Sequence, residues 1–441
     1  MKLNWFSPLP PAPTGIAEYT GTLLPWLCSK ADVTLWTDQD SWDGALERHC
    51  EVRRFTSAAV PWRDVNRADL SVFHLGNNRD FHDGIWQVSR VHAGVVVVHD
   101  LRLQDFFWGA FSRKPGGSSE YIALMEHVYG AAGASAARRF LDGTQTLDSL
   151  CLSYPLTEAV VGNALGAVVH TQGGFHLVSS LGSSHFQAGL AYLPLPYPAA
   201  SDGTFKAWNT RRNRPARPPF QLVLLGYINP NRRIIGLLQA LGSLPAKNDF
   251  RLRVYGPVWD EAHVREKIRE YGLERQVTLH GYTPASRLDD AIADADLAIN
   301  LRFPTMGEAS MSQLQVWDHS LPSIVTRTGW YAELPDDAVS FVEIEREIED
   351  LRQHLTAFSS NPEAFAKLGE NGRAVLLAQH SAAAYVEGLL AFLEKTLARR
   401  PARAFTKTAG EAADGMKAWM SRGVLVRAAE SIAGRIGDFI L

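Results

Sequence analysis

Short apolar runs alternate with longer amphipathic stretches along most of this chain, the pattern of parallel strands joined by crossover helices. In the first half the runs predict strands at Leu3–Phe6, Val33–Trp36, Leu70–His74, Gly94–Val98 and Ala167–His170. Val95 to Val98 are apolar at every position, as in a strand covered on both faces. Helices are expected at Gly15–Leu27, at Trp86–Arg90 and between Ser118 and Leu165. From Pro196 to Pro219 the alternation stops in a Pro/Arg-rich passage, which reads as a linker. It resumes with strands at Gln221–Leu225, Arg251–Tyr255, Val277–His280, Leu297–Asn300, Ser323–Thr326 and Val339–Val342. Helices are expected at Ile234–Leu241, Ile348–Ser359, Pro362–Leu376 and Ala382–Ala398. The reading divides the chain into an α/β domain over 1–200, a linker over 201–219, a second α/β domain over 220–398 and a tail over 399–441.

Composition narrows this picture. A chain of 441 residues is long for one core and fits two domains. Hydrophobic residues at 46% and charged residues at 21% are ordinary for a globular protein, and a net charge of -3 argues against a global nucleic-acid footprint. Cys28, Cys50 and Cys151 are odd in number and widely spaced, which favours a reducing compartment over a disulfide framework. No stretch reads as a signal peptide or a membrane span, so a cytoplasmic protein is expected, at or away from the inner face of the membrane. The tail mixes basic residues with Phe405, Trp419, Leu425, Ile432 and Phe439. It suits amphipathic helices on an anionic membrane or a partner, and equally a helix packed on its own chain or a disordered end.

Candidate chemistry gathers where strands end, because ligands of open parallel sheets bind at the carboxyl edge. The run Arg302-Phe-Pro-Thr305-Met-Gly307-Glu308-Ala-Ser310 follows one strand, with Ser312 close behind. It is read as delivering Glu308 to the first turn of a helix, beside the guanidinium of Arg302. Gly226-Tyr-Ile-Asn-Pro-Asn-Arg232-Arg233 follows another, and two arginines at a helix start call for an anion such as a diphosphate. Pro-rich Ser7–Thr14 leads to Gly15, which can supply a tight turn, and then to Glu18. His74-Leu-Gly-Asn77, His99-Asp100 and His170-Thr171 end three more strands, where imidazoles can bond hydroxyls or move protons. Asp38-Gln-Asp40 and Asp294-Ala-Asp296 fit Asp-x-Asp, but an acidic turn and a strand start are better accounts, and no metal site is expected.

Together these segments resemble a retaining glycosyltransferase of the GT-B type, similar to glycosyltransferase family 4 (group 1). The strongest parts are Gly226–Leu238 and Asn300–Asp337, and the resemblance runs from Ser7 to about Leu397. It implies two Rossmann-like, doubly wound parallel-sheet domains facing across a cleft, with a C-terminal helical extension. It also implies transfer of a sugar from a UDP-, GDP- or dTDP-sugar to a hydroxyl of a bacterial polysaccharide or glycolipid, with no cofactor and no metal. By resemblance Arg232, seconded by Arg233, grips the donor diphosphate. Glu308 touches the donor sugar, His99 faces that sugar from the other domain, and Gly281-Tyr282 receives the base. The donor site would further include Gly15, Arg302, Thr305, Gly307, Ser310, Ser312 and Gln315, and the acceptor site Thr14, Glu18, Asn77, Asp100 and His170. The sequence departs from the pattern at Val316, where a second acid is usual, at Gln315 beside it, and at Tyr227, where Arg is usual. These departures keep open a non-catalytic glycan- or nucleotide-binding subunit of an assembly complex.

Overall fold

The computed structural model describes residues 1–182, 186–212 and 216–399. Two all-parallel sheets organise them. The first contains β1 (Lys2–Phe6), β2 (Asp32–Thr37), β3 (Glu51–Arg54), β4 (Leu70–Leu75), β5 (Val95–Val98), β6 (Gly166–Val169) and β7 (Gly189–Tyr192). The second contains β8 (Phe220–Leu225), β9 (Phe250–Tyr255), β10 (Val277–Gly281), β11 (Leu297–Asn300), β12 (Ser323–Thr326) and β13 (Ser340–Val342). The strand orders are β3-β2-β1-β4-β5-β6-β7 and β10-β9-β8-β11-β12-β13. Each order reverses once, beside β1 and beside β8, and the loops leaving β1, β4, β8 and β11 flank those crevices.

The central strands are buried at every position, β4 and β5 most completely, because helices cover both faces. Phe6 stacks on Trp36 and Phe73 at centroid distances of 5.7 and 4.8 Å, which locks β1 between its neighbours on one face. The outer strands β3 and β7 are not among those the apolar runs predict. Their sequences, EVRR and GLAY, are partly exposed at the sheet edges and lack an apolar run. The helix expected at Trp86–Arg90 spans Arg79–Val91. Its polar first turn hides the start, which Asn78 caps by accepting from Asp80 N at 3.0 Å.

The segment expected as linker holds a helix, Asp202–Arg212. It is packed rather than loose: Trp208 stacks on His319 at 3.6 Å, and the Arg373 guanidinium lies 3.6 Å from the Phe205 ring centroid. The helix over 382–399 returns to the first sheet. Tyr385 there shares a 2.7 Å hydrogen bond with Tyr19, and Glu387 pairs with Lys30 at 2.7 Å. Among the described residues no helix is long and apolar enough to cross a membrane. Residues 400–441, nearly all of the expected tail, lie outside the described residues.

The two sheets meet through loop 302–310. The backbone N–H groups of Leu101 and Arg102 both donate to the Met306 carbonyl, at 2.8 and 2.9 Å, and the Arg102 guanidinium donates to the Thr305 carbonyl. Gly307 sits at φ +83°, where a Cβ would come within 2.8 Å of Leu101. Glu333 adds a second clasp. Its carboxylate accepts from Gln172 N and Gly173 N, at 2.9 and 2.7 Å, at the start of helix Gln172–Ser180.

Candidate functional site

A cleft of about 380 Å³ opens between the two sheets at their carboxyl edges. It gathers Thr14, Gly15, His99, Asp100, His170, Arg232, Arg302, Glu308, Ser310 and Ser312 from six chain segments. A larger depression of about 730 Å³ lies against helix Ile234–Gly242 and Glu347, outside this cleft. It lacks the histidines, Glu308 and Arg232, so the chemistry assigns the site to the smaller cleft.

One wall carries charge. Arg232, in the 3-10 turn Pro230–Arg232, is buried, and donates to Asn300 Oδ1 at 3.0 Å and to the Leu225 carbonyl. Its Nε has no hydrogen-bond partner among the described residues. Burial, reinforced by the nearby Arg302 charge, pushes its pKa down to about 10. Arg302 pairs with Glu308 at 3.1 Å. This wall thus holds two guanidiniums and one carboxylate, and an anion would complete it.

Glu308 is not in a first helical turn, as its sequence context suggested. The helix is Met311–Asp318, capped by Ser310, which accepts from Gln313 N at 3.2 Å. Glu308 lies upstream in the loop, where its carboxylate accepts from Thr305 Oγ1 at 3.0 Å and Met306 N at 2.7 Å. A helix dipole therefore does not account for this acid. Thr305 supports it from outside the cleft, and Gly307 lets the loop turn.

The opposite wall is built of imidazoles. The parallel order β4-β5-β6 sets three strand ends side by side, and each run ends in histidine: His74, His99 and His170. His74 Nδ1 lies 3.0 Å from His99 Nε2, and the rings of His99 and His170 are 5.0 Å apart. Burial, then the neighbouring imidazoles, holds the His74 and His99 pKa values well below the usual histidine range. Burial pushes His170 down to about 4. His170 Nδ1 lies 2.9 Å from the Leu193 carbonyl, which can only accept, so the proton sits on Nδ1. Its Nε2 is a bare acceptor without a protein partner among the described residues. Asp100 stands beside them. Burial, and next the charge of Glu308, raises its pKa to about 7, although Asn77 N donates to it at 2.7 Å.

Several expected residues lie elsewhere. Arg233 is turned away and pairs with Glu347 at 2.8 and 3.1 Å, so the anion it called for is a protein carboxylate. Gln315 donates to Asp289 at 3.2 Å. Val316 points into the core with Val223, Leu225 and Ile292, where an acid would be buried among apolar groups. Asn77 spends its amide on the first turn of helix Gln104–Ser112, donating to Asp105 and accepting from Phe106 N. Glu18 is exposed outside the cleft. Gly281 and Tyr282 also lie outside it, and Tyr282 is 75% exposed. Gly15 is the first residue of helix Gly15–Cys28, and a Cβ there would meet nothing within 4 Å, so no tight turn requires it. Asp40 pairs with Arg54 at 2.5 Å, and Asp296 accepts from Gln221 N at 2.7 Å, which fits structural roles for both Asp-x-Asp pairs. Among the described residues no group of three or more His, Cys, Asp or Glu is placed to hold a metal ion.

The cleft also contains residues that the sequence did not single out for it. Tyr227, Leu195 and Met311 line it, as does Asn229, whose buried Oδ1 has no partner among the described residues. Tyr227 and Asn229 follow β8 at the reversal of strand order, which is the signal that could have found them.

Comparisons place this geometry. Residues 207–375 match the model of the glycosyl transferases group 1 family. No curated protein matches the chain at the sequence level. Among solved structures, sucrose-phosphate synthase from Thermosynechococcus elongatus is similar over 90% of this chain and 99% of its own, at 15% identity and a TM-score of 0.62. Anabaena HepE in complex with UDP and glucose is similar over 89% and 99%, at 13% identity and a TM-score of 0.58. WaaG, a glycosyltransferase involved in lipopolysaccharide biosynthesis, is similar over 88% and 98%, at 14% identity and a TM-score of 0.54. The chain thus has the GT-B fold of these solved structures, and the family match falls on its second parallel-sheet domain and the helix that precedes it.

Proposed function

We propose that this chain transfers a sugar, with retention and without a metal, from a nucleotide-sugar to a hydroxyl of a bacterial polysaccharide or glycolipid. The observation that carries the reading is the opposition of the two walls: Arg232 and Arg302 with a single carboxylate on one side, neutral His99 and His170 on the other. A departing nucleoside diphosphate develops negative charge, and fixed cations stabilise it without reorganising. Arg232 and Arg302 supply charge of the kind a divalent ion would otherwise provide. Glu308, fixed by its own loop, orients the hydroxyls of the donor sugar.

The acceptor hydroxyl approaches from the histidine wall, where the bare Nε2 of His170 accepts its hydrogen bond. Attack on the face from which the diphosphate leaves retains the configuration, and a departing phosphate oxygen takes the proton. Val316 and Gln315 offer no acid for a ribose, so the grip on the nucleotide rests on the diphosphate.

The test is release of nucleoside diphosphate from a panel of UDP-, GDP- and dTDP-sugars, with UDP-glucose first because HepE is seen with UDP and glucose. Turnover of one donor, faster with a glycan acceptor, is expected. No turnover of any donor, despite tight binding of one, would favour a non-catalytic subunit instead.

A further inference from the structure

His74 is the penultimate residue of β4, wholly buried, with the Trp5 ring 4.2 Å and the Tyr19 ring 5.4 Å from its own. The sugar-transfer reading gives it no task. Its Nδ1 meets His99 Nε2 at 3.0 Å, and its Nε2 is buried without a hydrogen-bond partner among the described residues. A proton is shared between two imidazoles here, and the two possible arrangements differ in what they leave unpaired. If His99 donated from Nε2, His74 would carry its own proton on Nε2, as a buried N–H with no acceptor. If His74 donates from Nδ1, the unpaired atom is only a lone pair. Orphaned buried donors are the rarer and costlier defect, so the second arrangement wins. Neutral rings on both sides are required in either case, which agrees with the direction in which burial moves both histidines.

The consequence falls on His99. Its Nε2 is occupied by the His74 proton, so its own proton must sit on Nδ1, the remaining ring nitrogen of a residue that lines the cleft. His170 has the opposite sense, with Nδ1–H tied to the Leu193 carbonyl and Nε2 bare. Two neighbouring imidazoles, 5.0 Å apart, therefore present one donor and one acceptor.

We propose that His74 is a positioning residue that fixes the tautomer of His99, so that His99 serves the cleft as a neutral N–H donor to an oxygen of the sugar donor and not as a base. This rests on the sugar-transfer reading for its use, but not for its test. In histidine-labelled protein, nitrogen NMR should show a pyrrole-type Nδ1 and a pyridine-type Nε2 for His99, assigned through signals lost in His99→Gln. The reverse pattern, or a protonated ring at pH 7, would overturn the proposal whether or not a donor is ever turned over.

A kinetic arm separates positioning from packing. His74→Phe keeps a ring but removes the donor, and should lower kcat about 10-fold, the equivalent of one hydrogen bond misplaced in the transition state, while leaving the donor KM nearly unchanged. His74→Asn keeps an N–H near the Nδ1 position and should recover most of that loss. Equal kcat in the two folded variants would contradict a tautomer role. Should His74→Phe fail to fold, the nitrogen spectrum of the unaltered protein still decides.

Discussion

The two walls of the cleft solve different problems with different chemistry. The wall from the second sheet is ionic: Arg232 buried with an unpaired Nε, and Arg302 against Glu308. The wall from the first sheet is neutral: His99 and His170 are kept uncharged by burial, and Asp100 has its pKa raised to about 7. On the proposed reading, the contrast teaches how one cleft would handle a leaving diphosphate and a sugar together. Fixed charge belongs where charge develops, and neutral donors and acceptors belong where hydroxyls must be told apart without being ionised.

The sharpest break in this contrast is Arg232→Ala. Loss of that guanidinium should lower kcat/KM by roughly 10²-fold or more, since a charge-stabilising donor is worth ~2.7–4 kcal/mol. Unchanged turnover in a folded variant removes Arg232 from the mechanism. Glu308→Gln keeps the shape of the loop but removes its carboxylate. A fall in kcat of about 10-fold is expected from lost donor orientation, read in steady-state kinetics beside a thermal melt. Full activity would mean that the acid only braces loop 302–310.

Smaller effects test the seam and the neutral wall. Gly307→Ala places a Cβ against Leu101 at positive φ, and should destabilise the fold by about 1–2 kcal/mol in urea titration. Asp100 has a raised folded-state pKa, so it favours folding while protonated, and that contribution is lost as pH rises from about 4 to about 7. Asp100→Asn should therefore leave Tm unchanged near pH 4 and raise it at pH 8, on the order of 2 °C. The buried histidines act with the opposite sign. Their folded pKa values are depressed, so the stability they allow is present above pH ~6.5 and fades as pH falls toward 4. A melting profile that holds flat from pH 7 to 4 would contradict a neutral wall.

Much of this arrangement could be read in the chain. Val95–Val98 is a strand in any parallel sheet, and the sequence around Glu308 marks a sheet's ligand edge before any fold is known. What could not be read depends on partners distant in sequence. Arg233 looks like a phosphate ligand until Glu347, 114 residues later, packs against it. A loop acid and a first-turn acid look alike locally, so the sequence does not reveal that the helix begins only at Met311, beyond Glu308. The edge strands β3 and β7 carry too little apolar pattern to announce themselves. The histidine cluster lay between these extremes. Each histidine ends its own run, but only the order β4-β5-β6 brings the three together.

The division of labour between the walls is tested most directly by calorimetric titration with UDP, GDP and dTDP. At least one nucleotide should bind the unaltered protein, and Arg232→Ala should weaken it at least about 10-fold, or ~1.4 kcal/mol, while His170→Phe changes its affinity by less than about 2-fold. Comparable losses from both variants, or none from Arg232→Ala, would contradict the account.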